Sequence, residues 1–205
     1  MTTQALFQWA ISIFVPSIAG FLGVLIGAWL TTKRERRQRR HEFVERQLRE
    51  FYSPILGLRT EILAIYALQV KIEQASSEVQ RVEFGELRQT AKAEENLERF
   101  STQRGPEFAR ITDYDNKQMA KQVNDNYRRI VRIFRENRWL AEPETPRHFG
   151  VVFEYSDLSE RWTAQTIPHE VLKKLEYSDR SLIPFFGHIQ ETHDLLRARV
   201  ASGGD

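Results

Sequence analysis

The chain has 205 residues, with 30 Lys or Arg against 28 Asp or Glu, and no cysteine. That length suits one ordinary domain beside a membrane segment, and the missing thiols exclude disulfides, thiolate metal sites and a cysteine nucleophile. Residues 33–40 carry six positive charges and one negative, leaving 24 basic and 27 acidic residues elsewhere; a nucleic-acid-binding domain would spread its positive charge over a face, so no nucleic-acid partner is expected.

Ala5 to Leu30, "ALFQWAISIFVPSIAGFLGVLIGAWL", contains no charged residue. As a helix it would reach ~39 Å, enough to cross a ~30 Å hydrocarbon core with some tilt. Trp9 and Trp29 would sit ~30 Å apart along its axis, one at each interface. Residues 1–32 hold no basic side chain and no A-x-A pattern precedes the basic run, which opposes a cleaved signal peptide. The spacing predicts a retained anchor over 1–32 and a basic juxtamembrane segment over 33–42. Lys33, Arg34, Arg36, Arg37, Arg39 and Arg40 would meet anionic headgroups, placing the N-terminus outside and residues 33–205 in the cytoplasm. Ala19, Gly23 and Gly27 recur every fourth residue, the small-xxx-small pattern of associating membrane helices.

Val44, Leu48, Phe51, Ile55, Leu58, Ile62, Ile65 and Ile72 form a heptad seam. A coiled-coil-like helix is expected over 43–75, with association between copies through Leu48, Phe51, Ile55, Leu58 and Ile62. Tyr52, Leu56, Leu63 and Tyr66 widen the stripe, which favours packing inside a bundle. Ser53-Pro54 allows two outcomes, a new helix starting at Pro54 or a continuous helix kinked there.

Residues 76–200 read as a helical bundle, followed by a disordered tail over 201–205. Residues 84–100 are strong helix-former sequence with an acidic face. Gly105 and Pro106 predict a loop over 101–111. Asp115 would then cap a long helix with Met119, Val123, Tyr127, Ile130 and Phe134 on its apolar side. Residues 141–150 form a turn region, and helices follow near 151–164, 168–176 and 182–199. The fold class is therefore all-α: one transmembrane helix, then a cytoplasmic bundle of five to seven helices.

The blocks "REFYSPILGL", "DYDN", "FRENRWLAEPET", "ERW" and "PHEVL", spread over residues 43–196, resemble an uncharacterised family of bacterial proteins with one N-terminal membrane helix and a helical cytoplasmic domain. The resemblance implies that architecture and a bacterial origin, and with the predicted anchor and topology the expected location is the bacterial inner membrane. It brings no activity, ligand or site residue.

Chemistry is sparsely signalled. His188 and Glu191 have a metal-pair spacing, but His188 and His193 are five apart and point to different faces. Asp113 and Asp115 of "DYDN" are better explained as helix caps than as cation ligands. There is no GxSxG, phosphate-binding glycine loop or HExxH. Neither a catalytic residue, nor a metal site, nor a cofactor is expected, and a tethered enzyme would need a deep pocket lined by converging polar groups. Arg128, Arg132 and Arg135 share a helix face that could take an anion, or pair with the acidic helix carrying Glu94, Glu95 and Glu98. Trp139 is expected in the core. The leading expectation is a single-pass scaffold acting through protein–protein contact with an unknown partner and as a homo-oligomer. The alternative is a ligand-triggered membrane effector whose anchors cluster or perturb the bilayer.

Overall fold

The computed structural model describes residues 27–88 and 93–202. These are all helix, turn or irregular chain, with no strand among the described residues, so the all-α expectation holds. The chain divides into two units, one of residues 1–46 with 196–205 and one of residues 47–195.

α1 (residues 27–47), all but Gln47 of it in the first unit, takes in the basic segment. Lys33, Arg34, Arg36, Arg37, Arg39 and Arg40 are all exposed. The helix carries its own i,i+4 pairs, Glu35 with Arg39 at 3.7 Å and His41 with Glu45 at 3.3 Å. Lys33 Nζ lies 5.2 Å from the centre of the exposed Trp29 ring. Among the described residues no helix is long and apolar enough to cross a membrane. Most of the expected anchor, with Trp9, Ala19 and Gly23, lies outside the described residues, as does most of the expected tail.

The second unit is built on a long antiparallel pair. α2 (Ser53–Arg88) has 36 residues and α4 (Gly105–Asn137) has 33, about 50 Å each at helical rise. Three contacts fix their direction: Phe51 against Phe134 at 5.1 Å between ring centres, Glu61 with Arg129 at 3.7 Å, and Glu83 with Arg104 at 2.6 Å. At the far end α3 (Ala93–Gln103) closes the pair, where Phe100 lies between Phe84 and Phe108.

At the near end α5 (Phe149–Thr163), α6 (His169–Lys174) and the first part of α7 (Ile183–Ala201) complete the bundle. Phe51, Ile55, Leu58 and Ile62 are buried in the same core as Tyr127, Ile130, Phe134, Val152 and Phe185, while Leu48 is half-buried. The heptad seam is thus spent on packing within one chain, as its widened stripe suggests. Those four side chains, expected to meet a second copy, lie inside the core of one chain.

The chain passes Pro54 as a continuous helix. Ser53 has helical dihedrals, and its N–H reaches back five residues to the Leu48 carbonyl, making a π turn at Leu48–Tyr52. Pro54 has no N–H to offer the Glu50 carbonyl four residues earlier. Asn137, at the end of α4, donates its Nδ2 to that carbonyl at 3.1 Å.

Three expectations are corrected. The loop over 101–111 shrinks to a break at Arg104, because Gly105 and Pro106 open α4 instead of interrupting the chain, and Pro is at home in a first helical turn. Asp113 and Asp115 therefore lie inside α4 and cap nothing. Trp139 is 52% exposed; in the short 3₁₀ turn Arg138–Leu140 it is Leu140 that turns into the core.

Candidate functional site

Among the described residues of the second unit two polar assemblies stand out, one closed and one open to a ligand. The closed one ties the 138–148 turns to the start of α2. Gln47 Nε2 donates to the Leu140 carbonyl at 2.8 Å. The Tyr52 hydroxyl accepts from the Glu142 N–H at 2.9 Å and lies 3.0 Å from Thr145 Oγ1. Thr145 Oγ1 is in turn 2.9 Å from His188 Nε2, whose ring stacks on His148 at 5.0 Å. Gln47, Tyr52 and Thr145 are buried, and among the described residues no buried side-chain polar atom lacks a partner. This assembly holds the fold; burial, then the His148 charge, pushes His188 below its ordinary pKa, against Glu191 and Glu144.

The open one is a cleft of 1070 Å³ between the middle of α4 and the C-terminal end of α5. Tyr66 of α2 enters it beside Asn116, Lys117, Ala120 and Asn124 of α4. Facing them are Tyr155 and Trp162 of α5, and Tyr177 and Asp179 beyond α6. Its size is at the upper end of small-ligand pockets, ~300–1000 Å³.

The aromatic rings are set against one another, Tyr155 4.8 Å from Tyr127 and 4.9 Å from Tyr177. The Tyr155 hydroxyl donates to Asp179 Oδ1. The Asn124 amide is held from both sides, donating to Thr163 Oγ1 at 3.0 Å and accepting from Ser159 Oγ at 2.6 Å. Burial, reinforced by Asp179, pushes the Tyr66 phenol up to about 12. Burial likewise raises Tyr127, with Tyr66 next, and Tyr155, with Tyr127 next. Phenols held neutral in this way donate hydrogen bonds at neutral pH and do not serve as bases there. The arrangement is suited to holding a ligand.

Both loops that frame the cleft are built on strained helix ends. At the end of α5 the Thr166 N–H bonds the Arg161 carbonyl and the Gln165 N–H bonds the Trp162 carbonyl. At the end of α6 Tyr177 bonds Leu172 and Glu176 bonds Lys173 in the same way. These are Schellman motifs, whose left-handed residue is most often Gly. Here it is Gln165 (φ 54°) and Glu176 (φ 52°), the two positive-φ residues other than Gly among those described.

A side cavity of 520 Å³ shares Lys117, Asn124, Thr163 and Thr166 with the cleft and reaches Lys121 and Arg128. Arg128 does not pair with the acidic helix of Glu94, Glu95 and Glu98; it bonds Glu160 at 2.6 Å and Asp125 at 3.0 Å. Arg135 instead lies over the Phe153 ring at 5.5 Å, beside a cavity of 270 Å³, and Arg132 is exposed. The three arginines are thus not gathered at one site. His193 pairs with Asp194, apart from His188, and among the described residues no group of three His, Asp or Glu is placed to hold a metal.

Tyr66, Asn124, Tyr155, Tyr177 and Asp179 carry no motif known for chemistry, but one signal was available. Glu-Tyr-Ser-Asp occurs twice, at 154–157 and 176–179. The fold brings the two copies together, ring on ring, with the aspartate of the second accepting from the tyrosine of the first. No protein-family model, no curated protein and no solved structure matches the chain.

Proposed function

We propose that this chain is a membrane-anchored helical protein whose cytoplasmic bundle binds a small ligand in the α4–α5 cleft. The ligand triggers the anchors to cluster or to perturb the bilayer of a bacterial inner membrane. The observation that carries the reading is the cleft itself: a large opening into which neutral phenols, amides and one carboxylate converge. The uncharged Ala5–Leu30 run and the exposed basic ring of α1 support its place at an anionic membrane surface. The raised phenols favour recognition over acid–base catalysis, so no enzymatic step is assigned.

The test is expression in a bacterial host. Growth arrest that needs residues 5–30 and disappears when Ala120→Trp fills the cleft is the expected result. Arrest that persists with the cleft filled would overturn the reading. A second reading, a scaffold that meets other proteins or copies of itself, draws on Leu68, Val79 and Val82, which are exposed along α2 beyond the core. Crosslinking in membranes tests it: residue-specific adducts from this stripe support it, and monomers throughout exclude it.

A further inference from the structure

The ligand class can be narrowed from the charges around the cleft, an inference that rests on the cleft being a binding site. Three carboxylates line the adjoining cavity, and each already has an arginine. Asp125 and Glu160 are taken by Arg128, and Asp157 by Arg161 at 2.6 Å. The carboxylate of the cleft proper, Asp179, accepts from Tyr155. Lys117 and Lys121, one turn apart on α4 and both exposed, have no ion-pair partner among the described residues. Lys117 lines both cavities and Lys121 the side cavity next to it, and neither is already neutralised there.

Across from them the wall is aromatic. Trp162 is 48% exposed and lies 5.8 Å from His169, and Tyr177 stacks on Tyr155 from the other side. A flat ring can lie on Trp162, because indole faces stack on planar bodies without regard to their exact substitution. Asn116 and Asp179 can exchange hydrogen bonds with heteroatoms on that body. Two ammonium groups at the mouth, as point charges, suit a phosphate. We infer that the cleft binds a nucleoside phosphate, its base against Trp162 and Tyr177 and its phosphate on Lys117 and Lys121.

The inference is tested with the detergent-solubilised full chain by calorimetric titration of AMP, GMP, CMP and UMP, their nucleosides, and inorganic phosphate. At least one mononucleotide should bind ten or more times tighter than both its nucleoside and phosphate. Replacing Lys117→Ala and Lys121→Ala together should remove most of that tenfold while changing nucleoside binding less than twofold. Trp162→Ala should weaken nucleotide and nucleoside alike. No mononucleotide binding, equal binding of the nucleoside, or indifference to the two lysines overturns it. An anionic naphthalene dye, titrated in parallel, separates this failure from that of the cleft. If the dye binds the wild type and not Ala120→Trp, only the nucleotide class falls; if it binds neither, or both equally, the cleft falls too.

Discussion

Removing one oxygen, by Tyr52→Phe, tests whether the buried polar chain locks the 138–148 turns onto α2. The ring stays, so almost no cavity forms and the effect is that of the hydroxyl. That hydroxyl accepts from the Glu142 N–H and meets Thr145, which keeps His188 as a second partner. The N–H is then left without its acceptor in a part-buried place, which costs about 1–3 kcal/mol. Taking about 2 kcal/mol, and a urea slope of about 2 kcal/mol/M for a domain of this size, the unfolding midpoint should fall by about 1 M. Thr145→Val should cost a comparable amount. Because the two groups share one bond, the double variant should be milder than the sum by about 0.5–1.5 kcal/mol. The assay is urea denaturation followed by circular dichroism. A Tyr52→Phe cost below about 0.5 kcal/mol, or strict additivity with Thr145→Val, would refute the reasoning.

The strained cleft loops predict a gain: Gln165→Gly or Glu176→Gly should each stabilise by about 0.5–1 kcal/mol, seen as a higher midpoint, since Gly enters the left-handed region without a Cβ clash. Asn137→Leu should destabilise by about 0.5–1.5 kcal/mol, read by the same denaturation, because it removes the side-chain hydrogen bond that reaches the Glu50 carbonyl beside Pro54. At high pH the raised phenols make the unfolded chain the first to lose protons. Stability should therefore be intact below about 10 and fall as pH rises from about 10 to about 12, a fall that Tyr66→Phe should lessen. In acid the sign reverses: His188 prefers to stay neutral in the fold, so its contribution is present above about 6.5 and is lost as pH falls through its lowered folded value, a slope that His188→Gln should remove.

The helical class was legible because apolar residues recur at helical spacing from Val44 to the end of the chain, and the helices near 149–163, 169–174 and 183–201 follow that period closely. Gly105-Pro106 misled because the same pair can end a helix or begin one, and local sequence does not decide between them. The Pro54 ambiguity was settled by Asn137, 83 positions away, which no local pattern could reveal. The separate partners of the three arginines were hidden for a related reason. Helical phase puts Arg128, Arg132 and Arg135 on one side of α4, but Glu160 and Phe153 arrive from α5 and divide them. The cleft is made of ordinary residues from α2, α4, α5 and the chain on either side of α6, and the doubled Glu-Tyr-Ser-Asp alone hinted that two of these segments meet.

The most direct test of the account is a thermal-shift screen of the solubilised full chain against small metabolites, repeated with Ala120→Trp. A ligand at about a hundred times its dissociation constant adds about 2.7 kcal/mol, which for this size of protein raises Tm by about 5–10 °C. Hits of that size should appear, and should vanish in Ala120→Trp while the fold of that variant, by circular dichroism, is unchanged. Hits that survive with the cleft filled, or a screen in which no compound raises Tm, would contradict it.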